Sequence, residues 1–232
     1  MFNHFNRLSN SYFTNIGDKK ELYNLISRKI EPIIRNKVVL DIGNGGNIFY
    51  NYKKAKKIIV LDPANEMLTK IRDDKIIKIN EDARNITEIT NSSVDIILIS
   101  FALHHINGPK YMDSINSLNK ILFGAEQKLN LDGQLVIVEL TLNRFLFFLQ
   151  KIFYRITSFI LSKLNTDMVF FYSDEIIQNS INKNFKKYNL SIEKIKMQGW
   201  LDPLLGTFPG IIKIPAFLMP TRLKIFYVKK TS

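Results

Sequence analysis

The stretch Val38-Val39-Leu40-Asp41-Ile42-Gly43-Asn44-Gly45-Gly46-Asn47 constrains this chain more than any other. Its apolar residues, led by two β-branched valines, predict a strand buried on both faces, as in a parallel sheet covered by helices. The strand stops at Asp41, and the glycine-rich run beyond it predicts a turn. Gly43, Gly45 and Gly46 can take φ > 0 and let the backbone approach a ligand, so the strand is expected to open onto a small-molecule site.

Composition narrows what surrounds that site. The 232 residues suit one domain with room for an added lid. The absence of cysteine excludes disulfide frameworks, thiolate metal sites and cysteine nucleophiles, and no metal is expected. Met1-Phe2-Asn3-His4-Phe5-Asn6-Arg7 lacks the apolar core of a signal peptide, so a cytoplasmic location is expected. The net charge of +12 points to an anionic partner, either nucleic acid or a membrane surface. The excess of Lys, Asn and Ile is spread along the whole chain, so charge alone does not choose between them.

Residues 18–34 place Leu22, Leu25, Ile26 and Ile30 at helical spacing behind Asp18 as a cap, predicting a helix within an N-terminal cap of residues 1–36. The Tyr12-Phe13 pair before it can either close over a ligand or simply pack. Residues 48–57 are tyrosine-rich and weakly helical. The next apolar run, Ile58-Ile59-Val60-Leu61, ends at Asp62 and Pro63. An acidic residue ending the second strand, about 20 residues beyond a glycine turn, is suited to accept hydrogen bonds from both hydroxyls of a ribose. Nicotinamide dehydrogenases share this pair, so it does not by itself choose the cofactor.

The blocks Asp62-Pro63-Ala64-Asn65-Glu66-Met67-Leu68, Asn80-Glu81-Asp82-Ala83-Arg84-Asn85-Ile86 and Val94-Asp95-Ile96-Ile97-Leu98-Ile99-Ser100-Phe101-Ala102-Leu103-His104-His105-Ile106 follow in order. Together they resemble the class I S-adenosylmethionine-dependent methyltransferases, in a type 11-like form. Leu131-Asp132-Gly133-Gln134-Leu135-Val136-Ile137-Val138-Glu139 resembles that family's turn into the fifth strand, so the likeness runs over residues 38–139. It implies a Rossmann-like α/β fold with a seven-stranded sheet and helices on both faces, and S-adenosylmethionine as cofactor.

The same resemblance implies roles for particular residues. Backbone at Gly43, Gly45 and Gly46 approaches the amino-acid end of the cofactor, with Asp41 steadying the loop. Asp62 takes the ribose hydroxyls, and Pro63 and Met67 offer apolar surface to the adenine. Asp82 accepts from the adenine amino group, and Ala83 contacts the ring through its backbone. Ser100 and Phe101 flank the sulfonium. Asn47 replaces the family's usual third glycine, and Gly46 stands where Thr or Ser is common. Asparagine tolerates left-handed backbone best among non-glycine residues, so the turn is expected to form, with weaker binding.

His104 and His105 lie where a methyl acceptor is expected. A neutral imidazole can remove a proton from a hydroxyl, phenol or acidic carbon as it attacks the methyl group. His105 is the preferred base of the two. The plainer reading is that the pair only shapes the pocket.

Residues 108–130, with Met112, Ile115, Leu118, Ile121 and Leu122, predict a helix covering the sheet. An insertion of residues 140–171 follows the fifth strand. Within it, residues 144–165 set Arg144, Lys151, Arg155, Ser158 and Ser162 on one face and Phe145, Phe148, Leu149, Ile152, Ile156, Phe159 and Ile160 on the other. Lys151 and Arg155 near the middle argue against a membrane span. Two readings remain: a helix in the interface of an anionic membrane, or a lid whose aromatic face packs on the domain. Ser173 should cap a helix running to about residue 185. Residues 190–197 read as an edge strand and residues 223–228 as a last strand, which the family resemblance implies is antiparallel to its neighbours. Between these lies an apolar insertion, residues 198–222, broken by Pro203, Pro209, Pro215 and Pro220. Its residues 200–220 must pack on the domain, meet a partner or enter lipid.

Residues 1–232 thus read as a single methyltransferase domain. The expected reaction is methyl transfer from S-adenosylmethionine to a hydrophobic small molecule or lipid-linked acceptor, at oxygen or carbon, in the cytoplasm or peripherally on the cytoplasmic membrane. This is loosely similar to methyltransferases of quinone, lipid and natural-product metabolism. One alternative is an RNA methyltransferase, but no RNA-binding module is visible and Ser100-Phe101-Ala102-Leu103 lacks the Asn-Pro-Pro-aromatic sequence of base-amino methylation. The other is a non-catalytic, membrane-associated protein that keeps the fold.

Overall fold

The computed structural model describes residues 20–163, 169–197, 200–201, 214–215 and 218–231. Helix α1 (Lys20–Ile34) leads into strand β1 (Val38–Ile42), and β2 (Lys57–Leu61), a short α2 (Asn65–Leu68) and β3 (Ile77–Ile79) follow. Next come β4 (Val94–Ser100), α3 (Tyr111–Lys128) and the long β5 (Leu129–Leu142). Then α4 (Arg144–Lys163), α5 (Asp174–Asn184) and β6 (Tyr188–Ile195) precede β7 (Trp200–Leu201), β8 (Ile214–Pro215) and β9 (Thr221–Lys230). The weakly helical residues 48–57 yield only a single 3-10 turn at Tyr52–Lys54.

Seven strands form one sheet in the order β3-β2-β1-β4-β5-β9-β6. It is parallel from β3 through β5, while β9 runs antiparallel to both β5 and β6. This is the Rossmann-like, seven-stranded architecture expected. Strand order reverses between β1 and β4, so the chain leaves these two neighbouring strands in opposite directions and opens a crevice beyond their carboxyl ends. The inserted residues contribute a separate two-stranded ladder of β7 and β8.

Both faces of the sheet are covered. Ile26, Ile30 and Ile34 of α1, all fully buried, pack with Val39, Val60, Leu98, Val136 and Val138 on one face. On the other, Leu118, Ile121, Leu122 and Ala125 of α3 and Ile177 and Ile181 of α5 pack with Leu40, Ile97, Leu135, Ile137 and Phe226. Neighbouring strand residues supply opposite faces because side chains alternate along a strand. The turn into β5 is a bulge: Val94 pairs with Leu129 and Ile96 with Gln134, throwing residues 130–133 out of register. Asp132 there has φ +63°, and a Cβ on Gly133 would come within 2.9 Å of the Asn130 carbonyl oxygen.

The insertion helix α4 is attached differently from expectation. Its docked side is Phe147, Gln150 and Tyr154. Phe147 and Tyr154 are buried, and their rings meet Phe170 at 5.9 and 5.5 Å in edge-to-face geometry. Tyr111 and Tyr172 complete the cluster around Phe170, at 5.9 and 5.0 Å. The Gln150 amide donates to the Phe171 carbonyl oxygen at 2.8 Å and accepts from its N–H at 3.1 Å, imitating a strand partner. Tyr154 donates its hydroxyl hydrogen to the Gly108 carbonyl.

The face expected to pack as a lid is instead exposed. Phe145, Phe148, Ile152, Ile156, Phe159 and Ile160 all stay largely in solvent, and Leu149 is half-buried. Most of this face therefore finds no packing partner among the described residues. The physical reason is that the aromatic cluster takes the opposite side of the helix, where Phe147 and Tyr154 lie seven residues, about two turns, apart. Residues 12–13, residues 164–165 of the expected helix and most of residues 198–222 lie outside the described residues.

Phe170→Ala should cost about 3–5 kcal/mol, because it removes a fully buried ring from four aromatic neighbours. Urea unfolding of the two proteins measures this, and a difference below about 1 kcal/mol would show that the cluster does not hold α4.

Candidate functional site

The turn after β1 is held by glycines in left-handed backbone: Gly43, Gly45 and Gly46 have φ of 68°, 64° and 75°. Space excludes side chains at two of them as well. A Cβ on Gly43 would lie 2.5 Å from the Ala102 Cβ, and one on Gly46 would lie 2.5 Å from the Met67 carbonyl oxygen. Asn47 does not take the left-handed conformation foreseen for it; the three glycines before it complete the turn. Its N–H and carbonyl oxygen instead close the loop on Asn44.

Asp41 sits behind this loop rather than on the cavity wall. It is buried and accepts hydrogen bonds from the Tyr50 hydroxyl at 2.7 Å and the Asn44 amide at 2.8 Å. Burial raises its carboxyl to about 6, a push that the Tyr50 and Asn44 hydrogen bonds oppose and the nearby Asp62 charge reinforces. Asp41 therefore steadies the loop through Asn44.

Asp62 ends β2 and faces the glycine turn. One carboxylate oxygen accepts from the Gly45 N–H at 2.9 Å and the other from the Ala64 N–H at 2.8 Å. Burial raises its pKa against the pull of those two N–H groups. Since a carboxylate offers about four lone-pair directions, each oxygen keeps capacity for one further donor. Gly43, Gly45, Asp62, Pro63 and Met67 share one cavity, whose farther wall is Asp82, Ala83 and Arg84. Gly46 stays off the lining and packs under Met67.

Asp82 is more engaged than expected. Arg84 donates to it from Nε at 2.9 and 3.0 Å, from Nη2, and from its backbone N–H at 2.8 Å. Burial raises the Asp82 carboxyl, yet the hydrogen bonds and charge of Arg84 outweigh it and hold the group below the ordinary carboxylate range. The carboxylate assigned to an adenine amino group thus already has a guanidinium partner, and that amino group would share or displace it. Arg84 has no role in the sequence reading, although the Asp-Ala-Arg spacing places a cation two residues from this carboxylate.

The end of β4 supplies the third side. Phe101 has φ +54°, an uncommon and strained conformation for a bulky residue, and its N–H bonds the Val138 carbonyl oxygen at 2.8 Å. Phe101, Ala102, His105 and Ile106 line the cavity, together with Ile42 at the end of β1. Ser100 does not line it, and its hydroxyl is buried without a protein partner among the described residues.

The two histidines are separated by their surroundings. His105 is on the cavity wall, whereas His104 is buried with Nδ1 at 2.6 Å from Glu139 Oε1. Glu139 is fully buried near the end of β5. It also accepts from the N–H groups of Leu103 at 3.0 Å and Leu140 at 2.8 Å. It thereby pins the 3-10 turn Leu103–His105 through main chain and side chain together. The His104 ring lies 4.2 Å from that of His105 and stacks at 5.4 Å on Phe171. Glu139 has no role in the sequence reading, although a lone carboxylate inside the apolar run Val136-Ile137-Val138-Glu139-Leu140 was a usable signal.

The cradle suits a nucleoside bearing a cationic amino-acid tail. Asp62 has free accepting capacity on both oxygens, and the glycines leave room where a Cβ would intrude. Buried Asn44 Oδ1 at the loop has no donor among the described residues.

Residues 40–135 match a family profile described as a methyltransferase domain. No curated protein matches the sequence significantly. Among solved structures, a SAM-dependent methyltransferase from Thermotoga maritima is 16% identical with a TM-score of 0.65, the match covering 100% of each chain. A SAM-dependent methyltransferase from Methanosarcina mazei is 14% identical, covers 87% of this chain and 96% of its own, and has a TM-score of 0.57. Geranyl diphosphate C-methyltransferase from Streptomyces coelicolor A3(2), solved with Mg2+, geranyl diphosphate and S-adenosyl-L-homocysteine, is 10% identical. That match covers 90% of this chain and 78% of the other, with a TM-score of 0.60. The matched profile makes residues 40–135 a methyltransferase domain, and the chain shares its fold with S-adenosylmethionine-dependent methyltransferases.

Asp41 carries a pH signature. Because its folded pKa of about 6 lies above the ordinary 3.8, the folded protein binds a proton more tightly than the unfolded chain between those values. Its contribution to stability therefore falls as pH rises through that window and is flat above it. Relative to Asp41→Asn, the wild type should lose about 3 kcal/mol across the window, read from urea unfolding curves at several pH values. Parallel stability profiles for the two proteins would contradict the assignment.

Proposed function

We propose that this chain transfers the methyl group of S-adenosylmethionine to a hydrophobic small molecule or lipid-linked acceptor, at oxygen or carbon. The observation that carries the reading is the shared cavity, where the Asp62 cradle and the His105 imidazole are joined by an apolar wall of Ile42, Phe101, Ala102 and Ile106. The geranyl diphosphate C-methyltransferase of similar fold is solved with geranyl diphosphate, whose prenyl chain is apolar, which agrees with such a wall.

In this reading the Asp62 carboxylate accepts the two ribose hydroxyls while Gly45 and Ala64 hold it in place. Pro63 and Met67 give apolar contact to the adenine, and the backbone of Ala83 meets its edge. Backbone at Gly43 and Gly45 approaches the amino-acid end. When bound, the cofactor supplies an electrophilic methyl group on a sulfonium. His105 accepts the proton that a hydroxyl or acidic carbon releases as it attacks. Phe101 and Ile106 keep water from that proton and from the acceptor. His104 and Glu139 fix the turn that aims His105. The chain's work is mostly positioning and desolvation, since attack on a sulfonium methyl group needs no covalent intermediate with the protein.

Asp62→Ala should weaken S-adenosyl-L-homocysteine binding at least about tenfold by calorimetry, as a buried charge-assisted pair is lost. Equal affinity would remove Asp62 from the cofactor site. His105→Ala should bind the same ligand nearly as well but transfer labelled methyl about 10²–10⁴ times more slowly. The acceptor class is tested by supplying labelled S-adenosylmethionine with lipid, small-molecule and RNA fractions of the source cell. Label in the lipid or apolar small-molecule fraction supports the reading; label confined to RNA replaces it.

A further inference from the structure

Helix α4 carries apolar side chains on two opposed sides, and among the described residues only one of them is packed. With about 3.6 residues per turn, Phe147 and Tyr154 fall together, and that side is docked on the aromatic cluster. Phe145, Phe148, Ile152, Ile156 and Phe159 fall about half a turn away and are 67%, 55%, 53%, 58% and 64% exposed. Scattered exposed apolar residues are ordinary, but a continuous bulky stripe along a helix marks an interaction surface.

The charge of the helix says what kind of surface meets it. Its 20 residues hold Arg144, Lys151, Arg155 and Lys163 and no Asp or Glu. Arg155 is exposed and lies beside Phe148 and Phe159 on the helical wheel. A second copy docked symmetrically on this stripe would bring the two sets of cations together. An anionic bilayer surface satisfies both features, taking rings into the acyl boundary and cations among its head groups. No helix among the described residues is long and apolar enough to cross a membrane, so α4 would lie along the surface.

We propose that α4 is a membrane-docking helix that rests on an anionic bilayer through Phe145, Phe148, Ile152, Ile156 and Phe159, flanked by Arg155 and Lys163. The docked side of the same helix joins this surface to the cavity. Gln150 grips the backbone of Phe171, whose ring stacks on His104, and His104 adjoins His105 on the cavity wall. A hydrophobic acceptor residing in the membrane would therefore meet a site anchored there, and for this link the proposal rests on the reading of the acceptor given above.

The test is flotation of the full chain with vesicles of phosphatidylcholine alone and of phosphatidylcholine and phosphatidylglycerol in equal parts. The wild type should float with the mixed vesicles and at least about tenfold less with phosphatidylcholine. The surface variant Phe148→Ser/Ile152→Ser/Phe159→Ser should lose flotation while keeping its unfolding midpoint and its affinity for S-adenosyl-L-homocysteine. Arg155→Gln/Lys163→Gln should weaken flotation several-fold on mixed vesicles and leave the small phosphatidylcholine signal unchanged, an independent reading of the cations. Wild type that stays unbound to mixed vesicles, or a serine variant that floats equally well, overturns the proposal. A wild-type dimer that the serine variant makes monomeric, with no flotation of either, assigns the stripe to a second copy instead. Flotation needs no cofactor: loss of S-adenosyl-L-homocysteine binding with intact flotation defeats the methyl-transfer reading alone, and the converse defeats the docking alone.

Discussion

Between the end of β1 and the elements that close over it there is no room for a side chain. Ala102 stands where a Cβ on Gly43 would fall, and the backbone of Met67 where one on Gly46 would fall, each at 2.5 Å. This clearance sets the width of the crevice. It lets the tip of β1 run between β2 and β4 in left-handed backbone, and it brings the Gly45 N–H onto the Asp62 carboxylate. The lip of the cavity is thus defined by atoms that are missing, and its polar ends by the Asp62 and Asp82 carboxylates, whose burial is offset with N–H donors.

The opposite wall depends on a second buried arrangement. Glu139 projects from the β5 backbone into the turn that follows β4, where it takes two N–H groups and the His104 ring. A buried carboxylate is tolerable only when its lone pairs are filled, and here they are filled by the turn that carries His105. The aromatic cluster at Phe170 continues this wall outward to α4. Site and insertion are therefore mechanically joined, although they are far apart in sequence.

Much of this could be read before any coordinates. The β1 run, the glycine turn, the acidic end of β2 and the order of the later blocks prescribe the parallel half of the sheet. Alternating β-branched strands and glycine-dependent turns are local physics. Ser173 is such a local case too, capping α5 by accepting from the Ile176 N–H at 3.3 Å. Less legible was everything that depends on which partner a group finds. Asp82 could be named as an acceptor, but not that Arg84 fills it. Asn47 could be named as the odd residue, but not that it escapes the left-handed conformation. Phe145 and Phe147 look alike in a helical repeat, yet one is buried and the other is not.

The sequence by itself determined the fold class, the strand that opens onto the site and most of the residues that line its cavity, because glycine freedom, strand burial and carboxylate chemistry act over a few residues. Only the tertiary structure decided that His105 rather than His104 faces the cavity, since a carboxylate thirty-four residues beyond His105 claims its neighbour. It likewise decided that α4 turns its Phe-rich stripe outward. Periodicity shows that a helix has an apolar side, whereas the choice of side is made by whatever packs best against it, and here that is the cluster around Phe170.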